Sequence, residues 1–182
     1  MKRNSLISLS LTALCTAMIC VCSWIQIPFA IPFTLQTFAI YLALLTLGGA
    51  RGLLSIILYI AIGAVGLPVF SGFTGGVGAL LQPSGGFIIG FIFIALIYLL
   101  GERLLPSKPI FKLVLLTLGT VFCYSFGLIF FIAFHTDGAC STSFFSALSV
   151  CILPFIIPDA IKLALAFIVS KRIRRLSENS LN

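Results

Sequence analysis

Six long apolar stretches alternate with shorter segments that hold most of the charged and turn-forming residues. A transmembrane helix needs about 20 mainly apolar residues, within a range of roughly 17–25. Strands of a membrane barrel would instead alternate apolar and polar positions, whereas a run such as Gly90–Leu100 is apolar almost throughout. The pattern therefore predicts an all-α membrane protein with six transmembrane helices, forming a single domain over residues 1–182. The predicted spans are residues 6–27, 34–50, 52–67, 84–101, 110–134 and 149–170.

Two of these spans leave alternatives open. Residues 52–67 form a short span between Arg51 and Pro68, so neighbouring helices shield it or it does not cross the whole bilayer alone. The first span follows Lys2 and Arg3, as the apolar run of a signal peptide would. It is longer than such runs usually are, and no A-x-A cleavage site follows it, so we expect it to be retained.

Composition supports a membrane protein. Of the 182 residues, 60% are hydrophobic and 8% are charged, against roughly 45–50% and about 25% in soluble domains. These values exclude a soluble globular domain, a disordered chain, a secreted disulfide scaffold and a nucleic-acid-binding domain.

The positions of the basic residues predict the orientation. Loops on the cytoplasmic side of a membrane carry an excess of Lys and Arg. The segments at 28–33, 68–83 and 135–148 hold no Lys or Arg, and their ionisable residues are His135 and Asp137. We therefore expect both termini to be cytoplasmic. The net charge of +7 is explained by this orientation in the membrane, so we expect no nucleic-acid partner. The other side holds ten of the eleven basic residues: Lys2, Arg3, Arg51, Arg103, Lys108, Lys112, Lys171, Arg172, Arg174 and Arg175.

The sixth span contains an acid and a base, Asp159 and Lys162. Ionisable residues within a membrane are costly and usually mark a functional pathway or a pairing. At a spacing of three residues they share one face of a helix. The pair is therefore the leading candidate for a ligand site, and the alternative is an internal ion pair without function. Pro154 and Pro158 precede it, and either they break the helix or Pro158 occupies the first turn of its ordered part.

The segment 66–87 holds seven of the sixteen glycines and yet stays apolar. We expect it to fold back onto the helices. Its glycines either let backbone N–H groups approach a ligand or allow tight turns and close helix packing. The chain lacks the G-x-x-x-x-G-K-[ST] motif of ATP-binding loops, so a pump of this kind would take its energy from a partner or a gradient.

We expect no enzymatic activity, no metal site and no cofactor. One histidine and six cysteines form no cluster with ligand spacing, and the cysteines are interpreted as small apolar packing residues. An intramembrane enzyme using Asp159 as acid or base would need a nucleophile or a metal ligand that the sequence does not indicate.

Several motifs together resemble the BioY family, the biotin-specific substrate-binding (S) components of energy-coupling factor (ECF) transporters. The resemblance extends from about residue 8 to residue 170. The motifs that carry it are Ile31–Phe38 with its TLQTF sequence, Gly66–Phe70 (GLPVF), Gly75–Gly76, Pro83–Phe87 (PSGGF), and Pro154–Phe155 with Asp159 and Lys162.

The resemblance implies a multi-pass protein of a bacterial cytoplasmic (inner) membrane, with its biotin pocket near the outer surface. It implies that Ala13 and Ala17, which match an Ala-x-x-x-Ala motif, face the ECF coupling transmembrane protein, and that two partner ATPase subunits consume the ATP. Besides biotin and these partners, we expect contact with membrane lipid. The expected biotin-binding residues are Asp159, Lys162, Thr34, Gln36, Phe73, Gly75, Gly76, Ser84 and Gly85.

Two arrangements of biotin in this site remain open. In the first, Asp159 and Lys162 both contact the urea ring, and the valerate carboxylate meets backbone N–H groups of 72–86 or the hydroxyls of Thr34 and Ser84. In the second, Lys162 pairs with the valerate carboxylate. The predicted function is high-affinity biotin binding and uptake as the S component. The alternative is a solitary facilitator of biotin or a related vitamin that works without the ATPase module.

Overall fold

The computed structural model describes residues 2–28, 31–106, 108–135 and 144–179. These ranges hold eight α-helices, a 3₁₀ turn at Ser71–Phe73 and one antiparallel pair of short strands, β1 (Gln26–Ile27) and β2 (Phe33–Thr34). Asp137, expected in an outer turn, lies outside the described residues. The helices are α1 (Lys2–Trp24), α2 (Gln36–Leu47), α3 (Gly49–Ala64), α4 (Val77–Leu80), α5 (Gly85–Leu104), α6 (Pro109–His135), α7 (Phe144–Cys151) and α8 (Leu153–Asn179).

Four stretches in the described ranges are long and apolar enough to cross a membrane: Leu6–Trp24, Gly85–Leu104, Pro109–Phe134 and Ala147–Arg175. The predicted second and third spans correspond to the shorter apolar helices α2 and α3, of 12 and 16 residues. The predicted boundary at Arg51 is wrong. Gly48, with a φ of 83°, ends α2 and leads directly into α3, so that Arg51 lies in the first turn of α3. Glycine adopts this positive φ without steric cost.

The predicted sixth span is divided between α7 and α8. The interruption lies at Ile152. Pro154 occupies the first turn of α8, where its missing N–H costs least, while Pro158 lies inside α8 and the helix continues past it. The interruption at Ile152 therefore comes seven residues before Asp159.

Helix α2 lies in the centre of the bundle, because every residue from Ala39 to Leu45 is buried. It runs parallel to α8: Thr37 near its start contacts Asp159, and Leu45 near its end contacts Arg174. Helix α6 runs in the opposite direction beside both. The core of the molecule is thus built around one short and largely buried helix.

Helices α5 and α6 are packed unusually closely because glycines face the partner helix. A Cβ on Gly90 would lie 2.7 Å from Cys123 Sγ, and one on Gly119 would lie 2.7 Å from Ile94 Cα. Small residues at such positions let helix backbones approach each other in membranes.

The glycine-rich segment folds back onto the helices, as expected. Val69 and Phe70 are buried, and the ring of Phe70 packs edge-on against Tyr59. The N–H of Gly76 donates to the carbonyl oxygen of Gly63 at 2.7 Å, which fastens this segment to the end of α3.

Candidate binding site

The site is built on an ion pair one turn apart on α8. Lys162 Nζ lies 2.7 Å from Asp159 Oδ1, and only 6% and 5% of the two residues are exposed. It is the one salt bridge found among the described residues. Removing one partner of such a buried pair leaves an uncompensated charge, so both groups depend on the hydrogen bonds around them.

The start of α2 supplies most of these hydrogen bonds. The hydroxyl of Thr37 donates to Asp159 Oδ1 at 2.9 Å. Lys162 Nζ donates to the carbonyl oxygen of Thr34 at 2.7 Å and to Thr37 Oγ1 at 3.1 Å. Phe33 lies beside them, with its ring centroid 4.0 Å from Lys162 Nζ in a cation–π contact. The TLQTF sequence thus joins the ion pair to the central helix.

Helix α6 closes the other side of the carboxylate. The phenol of Tyr124 donates to Asp159 Oδ2 at 2.6 Å. One turn away on α6, Thr120 Oγ1 lies 2.7 Å from the hydroxyl of Tyr41 on α2. A single carboxylate therefore joins α2, α6 and α8.

The hydrogen-bonding capacity of the two charged groups differs. A carboxylate has about four acceptor positions, and three are used, by Thr37, Lys162 and Tyr124. An ammonium has three donors, and all three of Lys162 have acceptors. Asp159 Oδ2 can thus accept one more N–H from a ligand without rearrangement, whereas Lys162 must exchange a partner to bind an anion.

A cavity opens beside these groups, with about 460 Å³ of empty space including the part open to the outside. Its polar groups are concentrated at Thr34, Thr37, Thr120, Tyr124, Asp159 and Lys162. Small-molecule sites are typically apolar pockets with a few convergent polar groups. Its apolar walls include Ile31, Pro32, Phe87, Phe91, Cys151 and Phe155.

Of the residues predicted to bind the ligand, the structure brings Thr34, Asp159 and Lys162 together at the cavity. Gln36, the first residue of α2, is also buried, and its Nε2 has no hydrogen-bond partner among the described residues. It does not line the cavity. Three of the nine predicted residues thus form the polar centre of the site.

The predicted contacts from the glycine-rich segment lie elsewhere. Phe73 is 64% exposed and stacks on Trp24, and Ser84 precedes α5 without a side-chain capping bond. A Cβ would come within 2.3 Å of Leu67 O at Gly75 and within 1.9 Å of Leu80 O at Gly85, and Gly76 has a φ of 87°. Close turns therefore account for these glycines, and their contact with a ligand stays a prediction.

Ala13 and Ala17 are exposed on α1. They line a shallow groove that is completed by Leu58 and Ile62 of α3. Two small residues one turn apart leave room for another helix to approach closely. The position of these alanines suits a contact with a partner and does not suit internal packing.

Sequence reasoning missed Thr37, Tyr124 and the Tyr41–Thr120 pair as parts of the site. Thr120 and Tyr124 are spaced by four residues, so they share one face of α6. Two polar groups on one face of an apolar span were the feature of the sequence that could have indicated a role in the site. Asp159, the partner of Tyr124 on α8, is 35 residues further along the chain, and the partner of Thr120 is Tyr41 on α2, and separations of this size are not visible in local patterns.

Comparison with known proteins extends across almost the whole chain. The profile of the BioY family matches residues 1–179. The chain is 37% identical over 165 residues to the biotin transporter BioY of Thermotoga maritima, covering 88% of this chain and 92% of that protein. It is 37% identical over 169 residues to a probable biotin transporter BioY of Pyrococcus horikoshii, covering 91% and 94%.

A solved structure has the same fold. It is the crystal structure of an S-component for biotin from an ECF-type ABC transporter, with a TM-score of 0.80 and 29% identity. The similarity covers 96% of this chain and 94% of that chain.

Proposed function

Since the chain belongs to the BioY family, we propose that it binds biotin and takes it up as the substrate-specific subunit of an ECF-type ABC transporter. The observation that carries this proposal is the buried Asp159 carboxylate, which borders an apolar cavity and keeps one acceptor position. The choice of substrate is supported by relatives that are described as biotin transporters and that match this chain over nearly their whole length.

For the orientation, we propose that α1, α2, α3, α5, α6 and α8 are the membrane helices and that both termini are cytoplasmic, in the inner membrane of a bacterium. The distribution of positive charge supports this, because Arg103 and Lys171–Arg175 lie at helix ends far from the ion pair. From Asp159 to Arg174, α8 advances by about 22 Å at 1.5 Å per residue. The cavity then opens towards the outer side, where a vitamin would be captured.

We propose that a urea N–H of biotin donates to Asp159 Oδ2. This is the position that remains free when Thr37, Lys162 and Tyr124 are bound. The bicyclic ring would rest on apolar walls such as Phe87 and Phe91. The alternative, in which Lys162 binds the valerate carboxylate, requires the ammonium to give up Thr34 O or Thr37 Oγ1.

The partners in this proposal are the ECF coupling transmembrane protein and two ATPase subunits. The groove at Ala13 and Ala17 supports a helix-to-helix contact with the coupling protein. The sequence itself has no nucleotide-binding loop of the Walker type.

Isothermal titration calorimetry of the purified protein with biotin tests both the function and the site. The unmodified protein is expected to bind biotin, and Asp159→Asn is expected to weaken binding by about 10–100-fold, because a hydrogen bond to a charged group is worth about 1.5–3 kcal/mol. The matched control is Glu102→Gln, the same carboxyl-to-amide change at a residue that accepts from the N–H of Gly49 away from the cavity. Its affinity should be unchanged.

The two possible failures are distinct. No biotin binding by the unmodified protein would overturn the function. Binding that survives Asp159→Asn at full affinity would leave the function standing and remove Asp159 from the site.

A further inference from the structure

A second group of charged residues lies at the other end of α2 and α8, away from the candidate biotin site. Lys112, Lys171 and Arg174 border a cavity with about 490 Å³ of empty space, open solvent included. Its remaining lining residues are Leu45, Pro109, Phe167 and Ser170. The cavity thus combines three positive charges with an apolar surface and has no acidic residue in its lining.

The fold brings these charges together from two helices. Lys112 lies near the start of α6, while Lys171 and Arg174 lie one turn apart in the last part of α8. Arg174 is held in place because its Nη2 donates to the carbonyl oxygen of Leu45 at 2.5 Å. Lys171 Nζ lies 4.5 Å from the centroid of the Phe167 ring. Arg174 and Lys171 are thus positioned by contacts with the protein.

The cations of this cavity form no ion pair with any carboxylate whose side chain the structure describes. Among the side chains that the structure describes, to which that of Glu178 does not belong, the one ion pair is Asp159–Lys162, so none of the described carboxylates lies within 4 Å of these three cations. The nearby acid Glu102 accepts from the N–H of Gly49 instead. One of the five N–H donors of Arg174 is used by Leu45, and the others have no acceptor among the described residues. An anion with several oxygens would fit this set of donors.

The position within a membrane protein indicates the source of the anion. Pro109 begins an apolar helix, and Arg174 lies at the end of the last apolar stretch, Ala147–Arg175, so the cavity is level with the ends of membrane helices. Basic pockets between helices at this depth bind anionic lipid head groups. Leu45 and Phe167 supply an apolar surface on which the first part of an acyl chain can lie.

We propose that this cavity binds the phosphate of an anionic phospholipid, with Lys112, Lys171 and Arg174 as the donors. Charge-assisted hydrogen bonds from Lys and Arg to phosphate are among the strong interactions of proteins. The site requires that the chain lies in a membrane, but it does not depend on biotin or on the ATPase partners.

The test compares two doubly substituted proteins in a neutral detergent by native mass spectrometry. Each is titrated with short-chain phosphatidylglycerol and, separately, with phosphatidylcholine of the same chain length. Lys112→Gln with Lys171→Gln removes two charges of the cavity and should weaken phosphatidylglycerol binding at least about tenfold. Arg103→Gln with Arg172→Gln removes two charges outside the cavity and should change it less than about twofold.

An equal loss in both double variants would overturn the proposal, because it would show an effect of overall charge. Equal affinity of the unmodified protein for the two lipids would overturn it as well. Inorganic phosphate is added as a competitor, and displacement of the lipid at equal concentration would mean that free phosphate is the ligand.

Biotin titration of each variant shows that it is folded. If the double cavity variant loses biotin binding, the single variant Lys171→Gln, at an exposed position, is used in its place. Its affinity for phosphatidylglycerol is expected to fall about fivefold. A protein that binds phosphatidylglycerol but no biotin would contradict the proposed function and support this site.

Discussion

At the scale of single residues, the Asp159 carboxylate determines how the site is held together. Its hydrogen bonds come from three helices, and two of the donors, Thr37 and Tyr124, are far from it in sequence. The pair Asp159–Lys162 could be predicted from the sequence because both are charged, lie in an apolar stretch and are spaced by three residues. Thr37 and Tyr124 could not be assigned, since their role follows from packing between helices.

Removing one hydroxyl tests the contribution of Tyr124. Tyr124→Phe is expected to lower the free energy of unfolding by about 1.5–3 kcal/mol, because it removes a donor to a charged acceptor. Tyr98→Phe is the matched control, since the buried hydroxyl of Tyr98 has no hydrogen-bond partner among the described residues, and it should be neutral or slightly stabilising. Equilibrium unfolding in mixed micelles measures the free energy of unfolding of both variants. An equal decrease in the two would show that the hydrogen bond to Asp159 does not stabilise the protein.

At the scale of helices, glycines set how closely α5 and α6 can lie. Apolar stretches predicted the existence of the main helices, but not the short length of α2, which depends on Gly48 adopting a positive φ. The division between α7 and α8 at Ile152 was also beyond the hydrophobic pattern, because the stretch Ala147–Arg175 is apolar across it. Local backbone conformation thus decides the ends of helices that the pattern locates only approximately.

Gly119→Ala tests the close contact between α5 and α6. The new Cβ would lie 2.7 Å from the backbone at Ile94, so the two helices must separate, at a cost of about 1–3 kcal/mol. We expect a lower free energy of unfolding and weaker biotin binding, since Tyr124 moves with α6. Gly78→Ala, at a helical glycine with nothing within 4 Å, should leave both quantities unchanged. Similar behaviour of the two variants would contradict the packing argument.

Ala13→Leu and Ala17→Leu test the proposed contact of α1 with the coupling protein. Larger side chains in the groove are expected to keep biotin binding intact and to reduce uptake in cells that contain the partner subunits, by preventing close helix approach. Ala133→Leu is the control, at an exposed alanine of α6 outside the groove. Parallel loss of binding and uptake would show that the two alanines serve internal packing.

At the scale of the whole molecule, charge separates the two ends of the helix bundle. One end carries the biotin-site candidate with its ion pair, and the other carries Lys112, Lys171 and Arg174, which have none of the described carboxylates within 4 Å. The sequence predicted this separation well, because membrane insertion responds to the distribution of Lys and Arg along the chain.

Reporter fusions test the orientation. A fluorescent protein fused after Asn182 is expected to fluoresce and an alkaline phosphatase fused there to be inactive, because the C-terminus is proposed to be cytoplasmic. Fusion of the same reporters after Gly78, between α3 and α5, should give the opposite result. Active phosphatase at the C-terminus would reverse the proposed topology and place the cavity on the cytoplasmic side.

The fastening of α2 to α8 at both ends has a mechanical consequence. Lys162 binds Thr34 O just before α2, and Arg174 binds Leu45 O near its end. A helix held this way cannot slide or tilt against its neighbour without losing a charge-assisted bond. Any movement of α2 against α8 must therefore break at least one of these bonds, at whichever end of α2 it begins.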